Sequence, residues 1–419
     1  MRPRRGVVFA GVCVWTSGLV VGGLSGCGME EPEEAAERPA ELPEEVADRP
    51  ADAEDGVVLE VAAAHDGQEL QLWFRFETDE PSWYHDYLVY EGGQWVRHVG
   101  SADGEEGYGL YEDRISVIWS DGSVAGFAEA GGYVTVHPGM RTTATEASEE
   151  QVEAHPWLGE ELGQSDVRKF IAESREEGAS PDELWQGVRP AEELEQLRED
   201  GVFLDLWQWR AHRSNPVGYA DNGYVLEYRH GSQGRSMYRS NESDAGEPRM
   251  MYDPEATGRY ALDIEALHRR EYGQDDDYYL AEDFAVPFDS EREWEEGDAI
   301  PRRLLQEPSG SRGAIRAAGT YKDGSWDVRL WRSLESPEPM DSLAIEPGRT
   351  YAVAFAVHQA TGARFHDVSM PMTFGLDDAE AQINAIKVEG DLREVEADEL
   401  EWVEVEMFHP GDPTGEFVE

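Results

Sequence analysis

Short stretches of alternating apolar and polar residues, each bounded by a tight turn, constrain this chain more than any other feature. His65-Asp66-Gly67 and Glu91-Gly92-Gly93 each separate two such stretches, which is typical of β-hairpins. Many short strands at close spacing predict a mainly β fold, an antiparallel β-sandwich or barrel, with a short helical insertion. The predicted strands are residues 57–63, 70–77, 84–90, 94–99, 113–119, 203–209 and 224–228.

Residues 351–376 join a buried strand to two histidines and two methionines. Large apolar residues at 351–357 alternate with alanines, which predicts a strand covered on both faces. His358 lies where this strand ends, and the return strand 365–374 turns either Phe365 or His366 inward. A buried histidine beside aromatic residues is either a ligand of haem iron or an ordinary core residue, and these residues alone favour the second interpretation.

Residues 127–141 (FAEAGGYVTVHPGMR) contain a second pair of potential ligands. Gly131-Gly132 predicts a sharp turn or bulge, and residues 133–136 are strand-like. His137 and Met140 follow on a loop opened by Pro138-Gly139. The two side chains are either iron ligands or parts of a surface turn.

Two regions interrupt the strand pattern. Residues 150–200 form the predicted helical insertion, with helix-type spacing over 165–177 and 181–199. Residues 231–298 are acidic and weakly periodic, which indicates a charged surface insertion in the main domain, residues 57–409.

The amino-terminal segment has the three parts of a bacterial export signal. Arginines at positions 2, 4 and 5 precede an apolar run over 7–21, and Leu24-Ser25-Gly26-Cys27 resembles a lipobox. We therefore predict that residues 1–27 are a lipoprotein signal peptide and that Cys27 is lipidated; an ordinary secretory peptide is the alternative. The lipid would hold the protein on the periplasmic side of a bacterial membrane, and Gly28 resembles an outer-membrane sorting signal.

Charge and composition narrow the set of partners. The chain has 89 Asp and Glu against 35 Lys and Arg, a formal charge of −54, which disfavours nucleic acid and anionic membranes as direct partners. Lys169, Lys322 and Lys387 are its only lysines, and such a carboxylate-rich surface suits high salt. The acidic, proline-rich residues 28–56 predict a disordered tether, and residues 410–419 an acidic tail.

Both cysteines, Cys13 and Cys27, lie within the signal. The main domain therefore has no disulfide, no thiolate metal site and no attachment point for a covalent haem.

Several segments together resemble the haem-binding family typified by the gamma subunit of ethylbenzene dehydrogenase. They are DRISVIW, GGYVTVHPGMR at 131–141, LDLWQWRAHRSNPVGYADNGYVLEYR, GTYKDGSWDVRLWR and YAVAFAVHQATGARFHDVSMPMTFGL. The resemblance implies a β-sandwich that holds one non-covalent haem b between its sheets. It also implies electron transfer outside the cytoplasm to a periplasmic oxidoreductase or cytochrome.

The resemblance also implies ligand positions. His366 stands where the family has a lysine ligand, and the family's methionine ligand falls near His137 or Met140. His137 and His366 would then approach the iron from opposite faces. The remaining predicted cofactor contacts are His358, Arg141, Trp207, Trp209, Arg210 and Arg364. Each arginine is either a partner of a haem propionate or part of an ordinary ion pair, and the two tryptophans form either a pocket wall or core.

One interpretation from another class stays open, a haem-free β-sandwich lipoprotein that binds a ligand or a protein. An enzyme is less favoured, because no Ser-His-Asp order, phosphate loop or zinc-type cluster stands out.

Overall fold

A computed structural model of the protein describes residues 57–99, 110–138, 147–176, 181–360 and 366–409. All of them belong to one compact unit, Arg49–Glu419. The described residues are mainly β, as predicted. The strands in chain order are β1 (Val58–His65), β2 (Glu69–Glu77), β3 (Tyr87–Glu91), β4 (Gln94–His98), β5 (Arg114–Ser120), β6 (Leu204–Arg210), β7 (Tyr219–Val225), β8 (Arg229–Gly231), β9 (Tyr238–Ser240), β10 (Met250–Tyr252), β11 (Leu262–Asp263), β12 (Leu280–Ala281), β13 (Ala285–Pro287), β14 (Asp298–Pro301), β15 (Arg303–Leu305), β16 (Ile315–Lys322), β17 (Ser325–Ser333), β18 (Tyr351–His358), β19 (Asp367–Ser369), β20 (Met372–Leu376), β21 (Ile383–Lys387) and β22 (Trp402–Phe408).

Helices are short and few among these residues. The α-helices are α1 (Phe127–Thr135), α2 (Glu149–Glu153), α3 (Ala191–Glu199), α4 (Pro254–Thr257) and α5 (Ile264–His268). Single turns of other helix types occur at Pro156–Glu161, Ala172–Ser174, Pro181–Gln186, Asn215–Val217, Glu282–Phe284, Ser311–Gly313, Leu392–Glu394 and Ala397–Glu399. Within the part of the chain that the structure describes, no helix is long and apolar enough to cross a bilayer.

Ten antiparallel strands close into a barrel, one of the two architectures that the strand pattern predicts, and not into the β-sandwich that the family resemblance implies. Their order is β22-β1-β2-β17-β16-β7-β6-β5-β18-β19, and β19 pairs with β22 to complete the ring. β20 and β21 form a second bridge between β18 and β1. The first strand is thus paired on both sides, by β2 and by strands from the end of the chain, so it presents no open edge.

Aromatic side chains fill the barrel interior. Phe74 on β2 contacts Phe355 on the opposite wall, with ring centroids 5.9 Å apart. Trp119 and Trp207 lie 5.1 Å apart, and Trp209 and Trp326 lie 5.0 Å apart. Each of these rings is at most 3% exposed, and burial of one such side chain stabilises the fold by about 1.5–3 kcal/mol. The interior is the main hydrophobic core.

The acidic region 231–298 is more than the predicted surface insertion. Its strand β11 pairs with β14, which begins at the last residue of the region, and β14 pairs with β3 of the hairpin β3–β4 to give a four-stranded sheet. Apolar residues from both segments, including Tyr87, Leu262 and Ile300, form a second core. The weak periodicity arises because these strands are only two to five residues long.

The helical insertion is present, but the predicted helix over 165–177 is wrong. Its described residues, up to 176, are helical only at Ala172–Ser174. The backbone N–H of Phe170 donates to the Val136 carbonyl, and that of Ile171 donates to the Leu226 carbonyl. Because these donors are used by neighbouring segments, the chain runs extended there and buries Val167, Phe170 and Ile171.

Candidate functional site

The outer face of β18 places His358 beside Arg114. Pairing of β18 with β5 sets His358 directly opposite Arg114, and pairing of β5 with β6 sets Arg114 opposite Arg210. Side chains alternate between the faces of a strand. Since Val357 and Phe355 face the core, His358 and this row of arginines lie on the outer wall of the barrel.

His366 joins the row from the residue before β19. The pairing of Val357 with Asp367 continues the register that brings His366 next to His358. Their imidazole rings stack with centroids 4.3 Å apart and an angle of 16° between the planes. His366 is 8% exposed, and its Nδ1 is buried with no hydrogen-bond partner among the described residues. Its ring nitrogen is therefore available to a ligand.

Both histidines are uncharged at neutral pH. Burial, with the positive charges of Lys169 and Arg114, lowers the pKa of His366 to about 3. Burial and the guanidinium of Arg114 also place the pKa of His358 well below its usual range. Arg114 Nη2 donates to His358 Nδ1 at 2.7 Å. Because arginine only donates, the neutral His358 ring carries its proton on Nε2.

Helix α1 brings His137 to the same outer wall. The helix covers β5 and β18 so closely that a Cβ on Gly132 would lie 2.6 Å from Ile118 Cγ2. The chain breaks sharply at Gly131 (φ 74°), where the glycine pair predicts a turn, but the predicted strand over 133–136 is wrong: a second helical piece runs to Thr135, and His137 follows its end. His137 Nδ1 donates to the Tyr133 carbonyl at 2.6 Å, which directs Nε2 away from the helix.

Lys169 completes the cluster, and the sequence interpretation missed it. Its Nζ lies 3.3 Å from His137 Nε2. Burial and nearby arginines lower the pKa of Lys169 to about 7, so a large part of it is uncharged near neutral pH. Lysine is rare in this chain, and Lys169 follows Val167 and Arg168 and precedes Phe170 and Ile171. A lone lysine among buried apolar residues was the signal that could have found it.

Tyr133 connects the two halves of the cluster. Its ring centroid lies 4.6 Å from that of His137 and 6.1 Å from that of His366. Tyr133 thus contacts His137, which lies beside Lys169, and His366, which stacks on His358. We call His137, Lys169, His358 and His366 the nitrogen cluster.

The other predicted site residues have separate positions. Trp207 and Trp209 face the barrel interior, where their Nε1 atoms donate to Asp205 and Asn215, so they are core residues. Arg210 lies on the outer wall and pairs with Asp221 at 2.9 Å, the ordinary ion pair that was one of its two interpretations. Met140, Arg141, Arg364 and Cys27 lie outside the described residues.

The nitrogen cluster fits the donor chemistry of a haem iron, with two restrictions. Deprotonated imidazole and amine nitrogens are metal ligands, and His366 offers one with no competing partner. However, His358 and His366 stack against each other and so cannot bind opposite faces of one porphyrin. The expected position between two sheets is also wrong for this chain, because aromatic side chains fill the barrel interior.

The nitrogen cluster suits a bare metal ion less well than a haem iron. Among the described residues, no three His, Cys, Asp or Glu side chains come together as ligands of one ion. The cluster depends on Lys169 for its fourth nitrogen, and the Tyr133 ring contacts both His137 and His366.

Fold and site define a mainly β protein whose closed barrel carries three histidines and a lysine close together on its outer wall. The family model described as ethylbenzene dehydrogenase matches residues 34–369. The chain therefore belongs to the ethylbenzene dehydrogenase family. A search of curated proteins finds no match to the chain.

Proposed function

We propose that this protein binds haem b without a covalent bond and transfers electrons outside the cytoplasm. The observation that carries the proposal is the nitrogen cluster, which offers four neighbouring side-chain nitrogens as potential ligands. The lowered pKa values of His358 and His366 make both histidines neutral, and the lowered pKa of Lys169 makes part of this lysine neutral. Membership of the ethylbenzene dehydrogenase family supports a redox context.

Within this proposal His366 would bind the iron, because its Nδ1 is buried and has no hydrogen-bond partner among the described residues. His137 and Lys169 are the described candidates for the second ligand, and Met140 is the candidate beyond them. Arg114 fixes the tautomer of His358, which packs against His366 and holds that ring in place. The haem would supply a one-electron couple, and the chain would supply its ligands and exclude water.

The proposal includes a carrier role rather than catalysis. Its partner would be a periplasmic oxidoreductase or cytochrome, and the lipid on Cys27 would hold the protein at the membrane surface. Labelling with a radioactive fatty acid tests the anchor, since Cys27→Ala should lose the label and remain in the aqueous fraction.

A haem-free binding domain is the second candidate, and one observation favours it. The Tyr133 ring occupies the space between His137 and His366, the two residues first expected to bind the iron from opposite sides. If this ring does not move, only one of the two histidines can reach a porphyrin.

Visible absorption of the protein titrated with haem decides between the candidates. We expect a sharp Soret band and split α and β bands on reduction, as for six-coordinate low-spin iron. His366→Ala should abolish this spectrum or convert it to a high-spin form. His268→Ala is the control, because His268 is exposed and belongs to α5. A featureless wild-type titration would favour the haem-free protein, and an unchanged low-spin spectrum in His366→Ala would remove His366 from the site.

A further inference from the structure

Three exposed apolar side chains meet on the outer wall of the barrel. Among the residues that the structure describes, only four large hydrophobic side chains are strongly exposed. One of them, Tyr260, precedes β11. The other three belong to the ends of neighbouring strands, and we call them the apolar patch: Val58, 48% exposed, Met370, 43% exposed, and Phe408, 38% exposed.

Strand pairing brings the apolar patch together. Val368 on β19 pairs with Phe408 on β22, and Met370 follows two positions after Val368 on the same face. Val58 on β1 pairs with Glu406, which lies two positions before Phe408 on the same face of β22. The alternate residues of β1 and β22 lie in the barrel core, so the apolar patch faces outward.

The apolar patch adjoins the nitrogen cluster. His366, Val368 and Met370 are alternate residues of one extended segment, so they follow one another on one face at intervals of about 7 Å. A Cβ on Gly131 of α1 would lie 3.1 Å from Pro371 Cδ, so this helix packs beside the same segment. A protein bound on the apolar patch would therefore lie next to the proposed iron ligand.

Three glutamates border the apolar patch, and we call Glu60, Glu404 and Glu406 the glutamate rim. Glu404 on β22 lies directly opposite Glu60 on β1, and like charges in that position are unfavourable. None of the three forms an ion pair with a residue that the structure describes. Residues 396–401 (EADELE), which precede β22, add four more carboxylates. This arrangement favours cations supplied by a partner.

Basic side chains beside the glutamate rim pair with other carboxylates. Arg75 on β2 lies opposite Glu60, but its Nε pairs with Asp327 at 3.1 Å. His409 Nδ1 lies 3.4 Å from Asp367 Oδ1. Neither side chain neutralises the rim.

The occupant that fits this surface is a basic redox protein. The formal charge of −54 opposes both a second copy of this chain and an anionic membrane. An apolar centre with a carboxylate rim complements a protein whose exposed cofactor edge is surrounded by lysines or arginines. Weak electron-transfer complexes bury less than about 1,200 Å² in total, so a small patch is sufficient.

We propose that the apolar patch and the glutamate rim form the docking surface for a lysine- or arginine-rich redox protein. The proposal rests on the function proposed above and names the face across which one electron would pass between the metal centre of the partner and the haem. At 1 M salt charge attraction is screened beyond about 3 Å, so the apolar patch would then supply most of the attraction.

Carbodiimide cross-linking of the haem-free protein to a lysine-rich c-type cytochrome tests docking without haem in this chain. The reagent joins a carboxylate to a lysine amine with loss of water, and this chain has only three lysines of its own. Charge alone would spread the cross-links over all the acidic residues. The apolar patch predicts that they concentrate on Glu404 and Glu406, and an even spread would overturn the proposal.

Removal of the glutamate rim should slow association with the same cytochrome. We expect Glu404→Gln with Glu406→Gln to lower the association rate roughly tenfold in dilute buffer and to weaken its dependence on salt. Glu291→Gln with Glu293→Gln is the matched control, because both residues are exposed and form no ion pair with a described residue. Equal loss in both double variants, measured by stopped-flow fluorescence, would overturn the proposal.

Removal of an apolar side chain should act at high salt as well. Phe408→Ser should raise the dissociation rate roughly tenfold in dilute buffer and in molar salt, because apolar contact is not screened. Met370→Ser should do the same and lies beyond the end of β19, so it serves if the first variant unfolds. Tyr260→Ser is the control, and an unchanged dissociation rate in the folded patch variants would refute the docking surface.

Electron exchange separates this proposal from the function on which it rests. The haem-loaded protein and the cytochrome are mixed with one reduced and the other oxidised, in both combinations. Equal exchange rates in wild type and all variants would overturn the docking surface and leave the electron-transfer proposal standing. Cross-linking at the glutamate rim in a protein that binds no haem would support the docking surface and contradict the electron-transfer proposal.

Discussion

The guanidinium of Arg332 forms an ion pair with the carboxylate of Asp205 in the barrel core, with 2.7 Å between Nη1 and Oδ2. Both side chains are at most 1% exposed. Asp205 also accepts from Trp207 Nε1 and from the Leu343 backbone N–H, and Arg332 donates to the Leu343 carbonyl. The pair therefore ties β6 and β17 to the segment that precedes β18.

Removal of one partner should be far more costly than removal of both. We expect Asp205→Asn to lower the free energy of unfolding by about 3–5 kcal/mol, because Arg332 would be left charged and unpaired in the core. The double variant Asp205→Asn with Arg332→Met should recover part of this loss. Urea unfolding of both variants measures it; a double variant less stable than the single one would contradict a dominant role for the unpaired charge.

The pKa of Lys169 predicts a pH dependence of stability. The unfolded chain binds this proton up to about pH 10.5, but the folded protein loses it near pH 7. Between these values the unfolded state holds more protons, so stability should rise with pH by at most about 1.4 kcal/mol per unit from this group.

Lys169→Met should remove that contribution, whereas Lys322→Met should not, because Lys322 is 80% exposed. Denaturant unfolding between pH 7 and 10 measures the slopes. The same slope in wild type and Lys169→Met would mean that Lys169 is charged in the folded protein.

Contact between α1 and the barrel should depend on the missing side chain at Gly132. A methyl group there would overlap Ile118 Cγ2, so Gly132→Ala should cost about 1–3 kcal/mol of stability. Adding Ile118→Ala should make the alanine at 132 nearly harmless. Gly273→Ala is the control, since its Cβ would meet only Asp276 Oδ2, at 3.6 Å. Additive effects of the two core changes, measured in a double-mutant cycle, would show that α1 does not rest on Ile118.

Net charge predicts that the protein gains stability with salt. With 89 acidic and 35 basic residues, repulsion between carboxylates is screened over about 3 Å at 1 M salt. We expect the free energy of unfolding to increase steadily from dilute buffer to molar sodium chloride. Maximum stability in dilute buffer would refute this adaptation to salt.

Local patterning was sufficient for the strands that are longest and most regular. The hairpin β1–β2, strand β5 and strand β18 lie where the alternation placed them. The stacking of His358 on His366 also follows from one strand leading into the next. These features depend on neighbours close in the chain, which a sequence pattern can describe.

Contacts between residues far apart in the chain determine the features that local sequence patterns did not predict. Residues 133–136 have strand-like composition, but the close fit of Gly132 against Ile118 selects a helix on the outer wall. Lys169 meets His137 across 32 positions, and no local spacing links them. Closure of the barrel likewise depends on β22, which lies more than 300 residues after β1.

The pairing of β1 with β22 constrains the order in which a newly made chain can fold. Leu59 pairs with Val405, and Val368 pairs with Phe408, so the pairings of β22 with β1 and with β19 can form only after β22 is made. Nearly the entire polypeptide has to be made before β21 and β22, which pair with the second edge of β1, are available. During synthesis one edge of β1 therefore stays unpaired, and this edge can pair with other chains and aggregate until the later strands are made.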